Sequence, residues 1–117
     1  MDSANLFLSD VSVQSSRYAV IEDDGEVAYL YLTEPGRQNI VAFAWIYSRT
    51  NFPDPTERDW TFLWSDDGES VAVLADGHPL ACIVGAIGPG YSRELEAGNS
   101  LGHAWDDTTY ARVFRRV

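Results

Sequence analysis

Three Asp-Gly pairs punctuate this chain, each between short apolar runs: Asp24-Gly25, Asp67-Gly68 and Asp76-Gly77. Glycine takes a positive φ at no steric cost, and aspartate bonds its own following backbone. Such a pair between alternating runs closes a tight hairpin. Before the first pair lies Tyr18-Ala19-Val20-Ile21. After it lies Val27-Ala28-Tyr29-Leu30-Tyr31-Leu32, with Val27, Tyr29 and Tyr31 on one face. Around the other two, Trp60, Phe62 and Trp64 alternate with Thr61, Leu63 and Ser65, and the runs 71–75 and 80–87 follow. Three strands joined by two Asp-Gly turns make an antiparallel meander, ended by Gly88-Pro89-Gly90.

The other segments are less constrained. Leu6, Leu8, Val11 and Val13 space a short first strand. In residues 38–48, Val41, Phe43, Trp45 and Tyr47 alternate with Ile40, Ala42, Ala44 and Ile46. A strand buried on both faces and a short buried helix both fit, because periodicity does not separate them in an apolar run. Pro53 and Pro55 make residues 51–58 a loop, since each removes a donor that a ladder needs. Residues 91–104 read as a long loop. Asp106, Asp107 and Thr108 then resemble a helix cap, with Tyr110, Val113, Phe114 and Val117 at helical spacing and Arg112, Arg115 and Arg116 at the end. The β-favouring Thr108, Thr109 and Tyr110 leave a strand as the alternative for 107–117. The expected fold class is α+β and β-rich: an antiparallel meander sheet of five to six strands with a C-terminal helix on one face. A length of 117 residues sets one domain, 1–117.

Charge restricts the partners. Eighteen acids face eight basic residues, all arginine, for a net charge of −10. No basic face is available for DNA, RNA or an anionic membrane. The aromatic share of 13%, with four Trp, excludes a disordered acidic tail. Cys82 is the single cysteine, so no intrachain disulfide forms, which fits a reducing compartment. The first twenty residues lack the basic start and apolar core of a signal peptide. The longest uncharged run, 77–92, is broken by Pro79, Pro89 and glycines, too short and interrupted to span a bilayer. A cytoplasmic location is expected.

No set of residues declares a reaction. The acidic turns Asp23-Asp24-Gly25-Glu26 and Asp66-Asp67-Gly68-Glu69 echo one another, and read as two independent uses of good turn chemistry. Neither has the alternating ligand spacing of a calcium loop. His78 and Cys82 stand four apart, about 13 Å on a strand, too far to share an ion. Cys82 reads as a small core residue rather than a nucleophile, and no metal or cofactor is expected. Gly85–Gly90 lacks the Lys-Ser/Thr ending of a phosphate loop. Tyr91, Arg93, His103 and Trp105 cluster in the loop 88–105, where a ligand pocket could form. Arg93 could hold a carboxylate or phosphate there, or bridge to a local acid.

The pattern Glu22-Asp23-Asp24-Gly25 with Tyr29-Leu30-Tyr31, then Trp64-Ser65-Asp66-Asp67-Gly68 with Val71-Ala72-Val73-Leu74, then Gly90-Tyr91-Ser92-Arg93, resembles a small bacterial family known as domain of unknown function 2251. The likeness covers about residues 18–95. It implies a bacterial origin and brings no activity.

The functional expectation is a non-enzymatic acidic binding protein, a bacterial immunity protein that neutralises a toxin by blocking its basic site. Opposite charge raises the association rate by steering. The contacts would come from Asp23, Asp24 and Glu26, or from Asp66, Asp67 and Glu69, around aromatic anchors among Trp60, Trp64, Tyr91 and Trp105, with Arg93 beside them. Two alternatives are a phage-type acidic decoy of a nucleic-acid-handling protein and a small-ligand or enzymatic domain with its pocket near 88–105. A monomer and a homodimer through a free strand edge are both compatible.

Overall fold

Alternation of side chains across the strands, period two, settles which residues face inward. The computed structural model describes residues 5–85, 88, 90–93 and 102–114. Strands β1 (Phe7–Val11), β2 (Tyr18–Asp23), β3 (Val27–Thr33) and β4 (Ile40–Ser48) pair in chain order as a four-stranded antiparallel sheet. Strands β5 (Trp60–Trp64), β6 (Val71–Ala75), β7 (His78–Ile83), β8 (Gly90–Ser92) and β9 (His103–Ala104) form a second sheet of five. The expected single meander of five to six strands is therefore corrected to two sheets. Each meander has one face of small and branched apolar residues, and burying both faces needs two layers packed together. The loop that carries the chain across holds one 3₁₀ turn, Pro55–Glu57.

One core lies between the sheets. Ala19, Ile21, Ala28, Leu30, Leu32 and Ala44 of the first sheet meet Val71, Val73, Ala81 and Ile83 of the second, all at most 1% exposed. Each of the larger side chains contributes roughly 2 kcal/mol by leaving water. Residues 40–48 are a strand, and the helix alternative falls away. A register shift in the β3–β4 ladder between Ala28 and Tyr29 leaves Ile46 unpaired and lets Ile46 and Tyr47, though consecutive, both become buried. The sheets approach closely where β4 passes β8. A Cβ on Gly90 would stand 2.6 Å from the Phe43 carbonyl oxygen, so no other residue fits there undisturbed.

The far side of the second sheet is covered by helix α1 (Asp107–Val113). Ala72, Cys82 and Phe114 are buried there, with Leu63, Leu74, Tyr91, Trp105, Tyr110 and Val113 around them. The cap falls where the sequence puts it: the Asp106 side chain accepts from the Thr108 and Thr109 backbone N–H groups. The long loop expected over 91–104 is corrected at its ends. Tyr91 pairs with His103 and Ser92 with Ala104, the one parallel pairing among the described strands. Residues 94–101 lie outside the described residues, as do 115–117, so Arg115, Arg116 and Val117 of the expected helix are not placed.

Backbone hydrogen bonds to Asp24 and Asp67, and the Thr109 hydroxyl bond to Asp106, hold these three carboxyls below their usual 3.8. A depressed folded value contributes stability above the unfolded value and loses it as pH falls through the folded one. The melting temperature is therefore expected to drop as pH falls below about 4. In the triple variant Asp24→Asn/Asp67→Asn/Asp106→Asn, thermal melts should show a shallower drop over the same range.

Burial alone pushes the Cys82 thiol up to about 12. Iodoacetamide at neutral pH should leave native protein unlabelled and modify it only in denaturant, as read by mass spectrometry.

Candidate functional site

The strand register places twelve side chains on the outer face of the first sheet, in three cross-strand rows. The first row is Phe7, Glu22, Tyr29 and Trp45; the second is Ser9, Val20, Tyr31 and Phe43; the third is Val11, Tyr18, Thr33 and Ile40. Glu22 carries the only charge among them. Phe7, Ile40 and Phe43 are 65%, 57% and 44% exposed, an unusual display of apolar surface for one face of a small protein. Tyr29 organises the rings. It stacks on Tyr31 with centroids 6.1 Å apart, and meets Phe43 at 5.8 Å and Trp45 at 5.7 Å edge to face. A groove of about 390 Å³ runs across the face between Phe7 and Ile40, past Val20, Glu22 and Tyr31. Partial burial pushes the Tyr31 hydroxyl above its usual 10.0, and the nearby Glu22, Tyr29 and Asp24 push it further.

The acidic turns lie at opposite ends of β2, so the structure does not bring them together. In the first, Asp23 is committed to the fold. Its side chain is fully buried, accepting from the Gly25 N–H at 2.7 Å, the Tyr47 hydroxyl at 2.6 Å and the Arg49 guanidinium at 3.0 Å. Burial and then the Asp23 carboxylate push the Tyr47 hydroxyl up, so it stays a donor. Asp24 and Glu26 are exposed at the same end. In the other turn, Asp67 accepts from the Glu69 N–H and the Ser65 hydroxyl, and Glu69 pairs with Arg17 at 2.9 Å. Asp66 is exposed. Ser15 donates to the Gly68 carbonyl at 2.7 Å, which ties this turn to the β1–β2 connection.

The aromatic residues singled out in the sequence are placed elsewhere. Trp60 and Trp64 pack against the central core, with indole N–H groups bonded to the Pro55 carbonyl at 2.8 Å and to Asp10 at 2.9 Å. Tyr91, Arg93 and Trp105 do come together beside α1. Tyr91 meets His103 at 5.3 Å with the rings tilted, and the Arg93 guanidinium lies 4.6 Å over the Trp105 ring. Arg93 also bonds the Pro79 carbonyl and pairs with Asp107 at 3.6 Å, while Asp107 accepts from the Trp105 indole at 2.7 Å. Arg93 thus bridges to a local acid. The outer face of the first sheet was missed as a unit. Its signal was the strand Tyr18-Val20-Glu22, whose outward positions are apolar except the last.

No group of His, Cys, Asp and Glu among the described residues is placed to hold a metal ion. Among them no helix is long and apolar enough to cross a membrane.

Two face-to-face sheets with a single helix behind the second define the class: a helix-backed β-sandwich with one aromatic sheet face turned outward. The chain belongs to an uncharacterised protein family conserved in bacteria (DUF2251), whose profile matches residues 2–114. No curated protein and no solved structure matches it.

Proposed function

We propose that this chain is a non-enzymatic acidic binding protein, an immunity protein that neutralises a bacterial toxin by covering its basic site. The observation that carries the reading is the outer face of the first sheet: a broad aromatic and aliphatic surface whose only charge is negative. Tyr and Trp concentrate at the centres of interfaces because they bury much area at little entropic cost. The net charge of −10 would steer the chain to a basic partner. Asp24 and Glu26 stand at the edge of that face and supply the acidic contacts; Asp23 and Glu69 serve the fold instead.

The test is co-expression of the chain with each product of its neighbouring genes, with cell survival and direct binding as readouts. Protection by the chain against one toxic neighbour, with a stable complex, supports the reading. Absence of binding and of protection across all neighbours removes it.

A further inference from the structure

We propose that the groove on the outer face of the first sheet receives an arginine or lysine side chain of a basic protein partner. The Glu22 carboxylate is its counter-ion, and the rings of Phe7, Tyr18 and Tyr31 are among its walls, with Tyr29 beside Glu22. The proposal deepens the binding reading above and rests on it for the partner being a protein.

Register brings the parts together. Phe7 lies directly across from Glu22 on one side, and Tyr29 directly across on the other. Side chains so opposed stand about 5 Å apart at Cβ. An aromatic ring on each side of a carboxylate offers a cation two favourable interactions at once: a charged hydrogen bond, and attraction to the negative ring faces. The planar guanidinium of arginine suits both.

Glu22 has no internal claim on it. Among the described residues its side chain is exposed and makes no hydrogen bond or ion pair. Four of the described arginines have acidic partners elsewhere. Arg17 pairs with Glu69, Arg49 with Asp23, Arg58 with Asp76 and Arg93 with Asp107. Glu22 is the one charge on this apolar face, and its solvated carboxylate is left available to a partner's cation. The negative potential that raises the Tyr31 hydroxyl comes from Glu22 and Asp24 and favours a cation at the same spot.

Charge also decides between occupants. The same face of a second copy would bring another Glu22 and no cation among its twelve side chains, leaving two carboxylates desolvated against each other. A phosphate backbone would be repelled. A basic protein surface supplies what the groove lacks.

The probe is acetyl-Gly-Arg-Gly-amide, titrated into the full chain labelled with nitrogen-15. Its citrulline counterpart, of equal shape but uncharged, is the control. Saturable amide shifts at residues 20–22 and 29–31 are expected with the arginine peptide and not with citrulline. Glu22→Gln, which keeps the shape, should weaken binding roughly tenfold or more. Glu57→Gln, an exposed acid in the connection between the two sheets, should leave it unchanged. Equal binding by Glu22→Gln, shifts centred on residues 66–69, or no saturable shift overturns the proposal. So does a concentration-dependent shift of this face without peptide, which would mark a second copy. Co-expression separates the two readings. Protection that survives Glu22→Gln removes this groove but keeps the immunity reading. Arginine binding at Glu22 without protection by the wild-type chain keeps the groove and removes that reading.

Discussion

Gly68→Ala is expected to cost the fold about 3 kcal/mol and to lower the melting temperature by roughly 10 °C. Two effects combine. Gly68 has a φ of +73°, where an L-residue with a Cβ is strained by roughly 1–2 kcal/mol. Its absent Cβ also points into the β1–β2 connection. A methyl there would run into the Ser12 hydroxyl and stand 2.8 Å from the Ser15 hydroxyl. Neither serine yields without loss: Ser12 is buried and accepts from the Ser15 N–H, while Ser15 holds the Gly68 carbonyl. Gly77→Ala separates the two effects. Gly77 has a similar φ of +80° but nothing within 4 Å of a Cβ, so its cost should be about 1 kcal/mol. Equal losses in chemical denaturation would show that crowding by the serines contributes nothing.

Asp23→Ala should cost a similar amount, about 3 kcal/mol in urea unfolding. The carboxylate is the shared acceptor of three donors, and its removal takes that acceptor from the buried Tyr47 hydroxyl and from Arg49. Arg49 keeps some contact with solvent, at 20% side-chain exposure, which places the loss at the lower end of the range for a broken buried pair. Tyr47→Phe removes donor and demand together and should cost only about 1 kcal/mol. If Tyr47→Phe proves as damaging as Asp23→Ala, the hydroxyl–carboxylate bond rather than the Arg49 pair carries the network. Asp23→Ala should also weaken any protection assay only in step with the loss of folded protein.

What was legible in the sequence was local. Asp24-Gly25, Asp67-Gly68 and Asp76-Gly77 each name the two strands they join, because turn chemistry acts within four residues. Asp106 names the helix start for the same reason. The division into two sheets was not legible. Pro53 and Pro55 mark a break after β4 but carry no information about whether the next strand joins that sheet or covers it. The parallel pairing of Tyr91 with His103 spans a long insertion and leaves no periodic trace. Trp60 and Trp64 suggested exposed anchors, yet their face turns inward, since alternation within β5 does not say which side meets the other sheet. Glu22 escaped notice because it stands beside Asp23 and Asp24, and reads as part of an acidic turn until the register of β1 and β3 assigns it to an aromatic face.

The order of the two sheets along the chain has a consequence for biosynthesis. All four strands of the first sheet come from residues 7–48, so they leave the ribosome before any strand of the sheet that covers them. Hairpins between neighbours form quickly, and this half can assemble while the rest is still being made. During that interval it shows water two apolar faces, one awaiting the second sheet and one permanent. Seven acids against two arginines in residues 1–48 make neighbouring nascent chains repel one another. The same acidity that would draw a basic partner to the finished protein thus protects the unfinished one from its siblings.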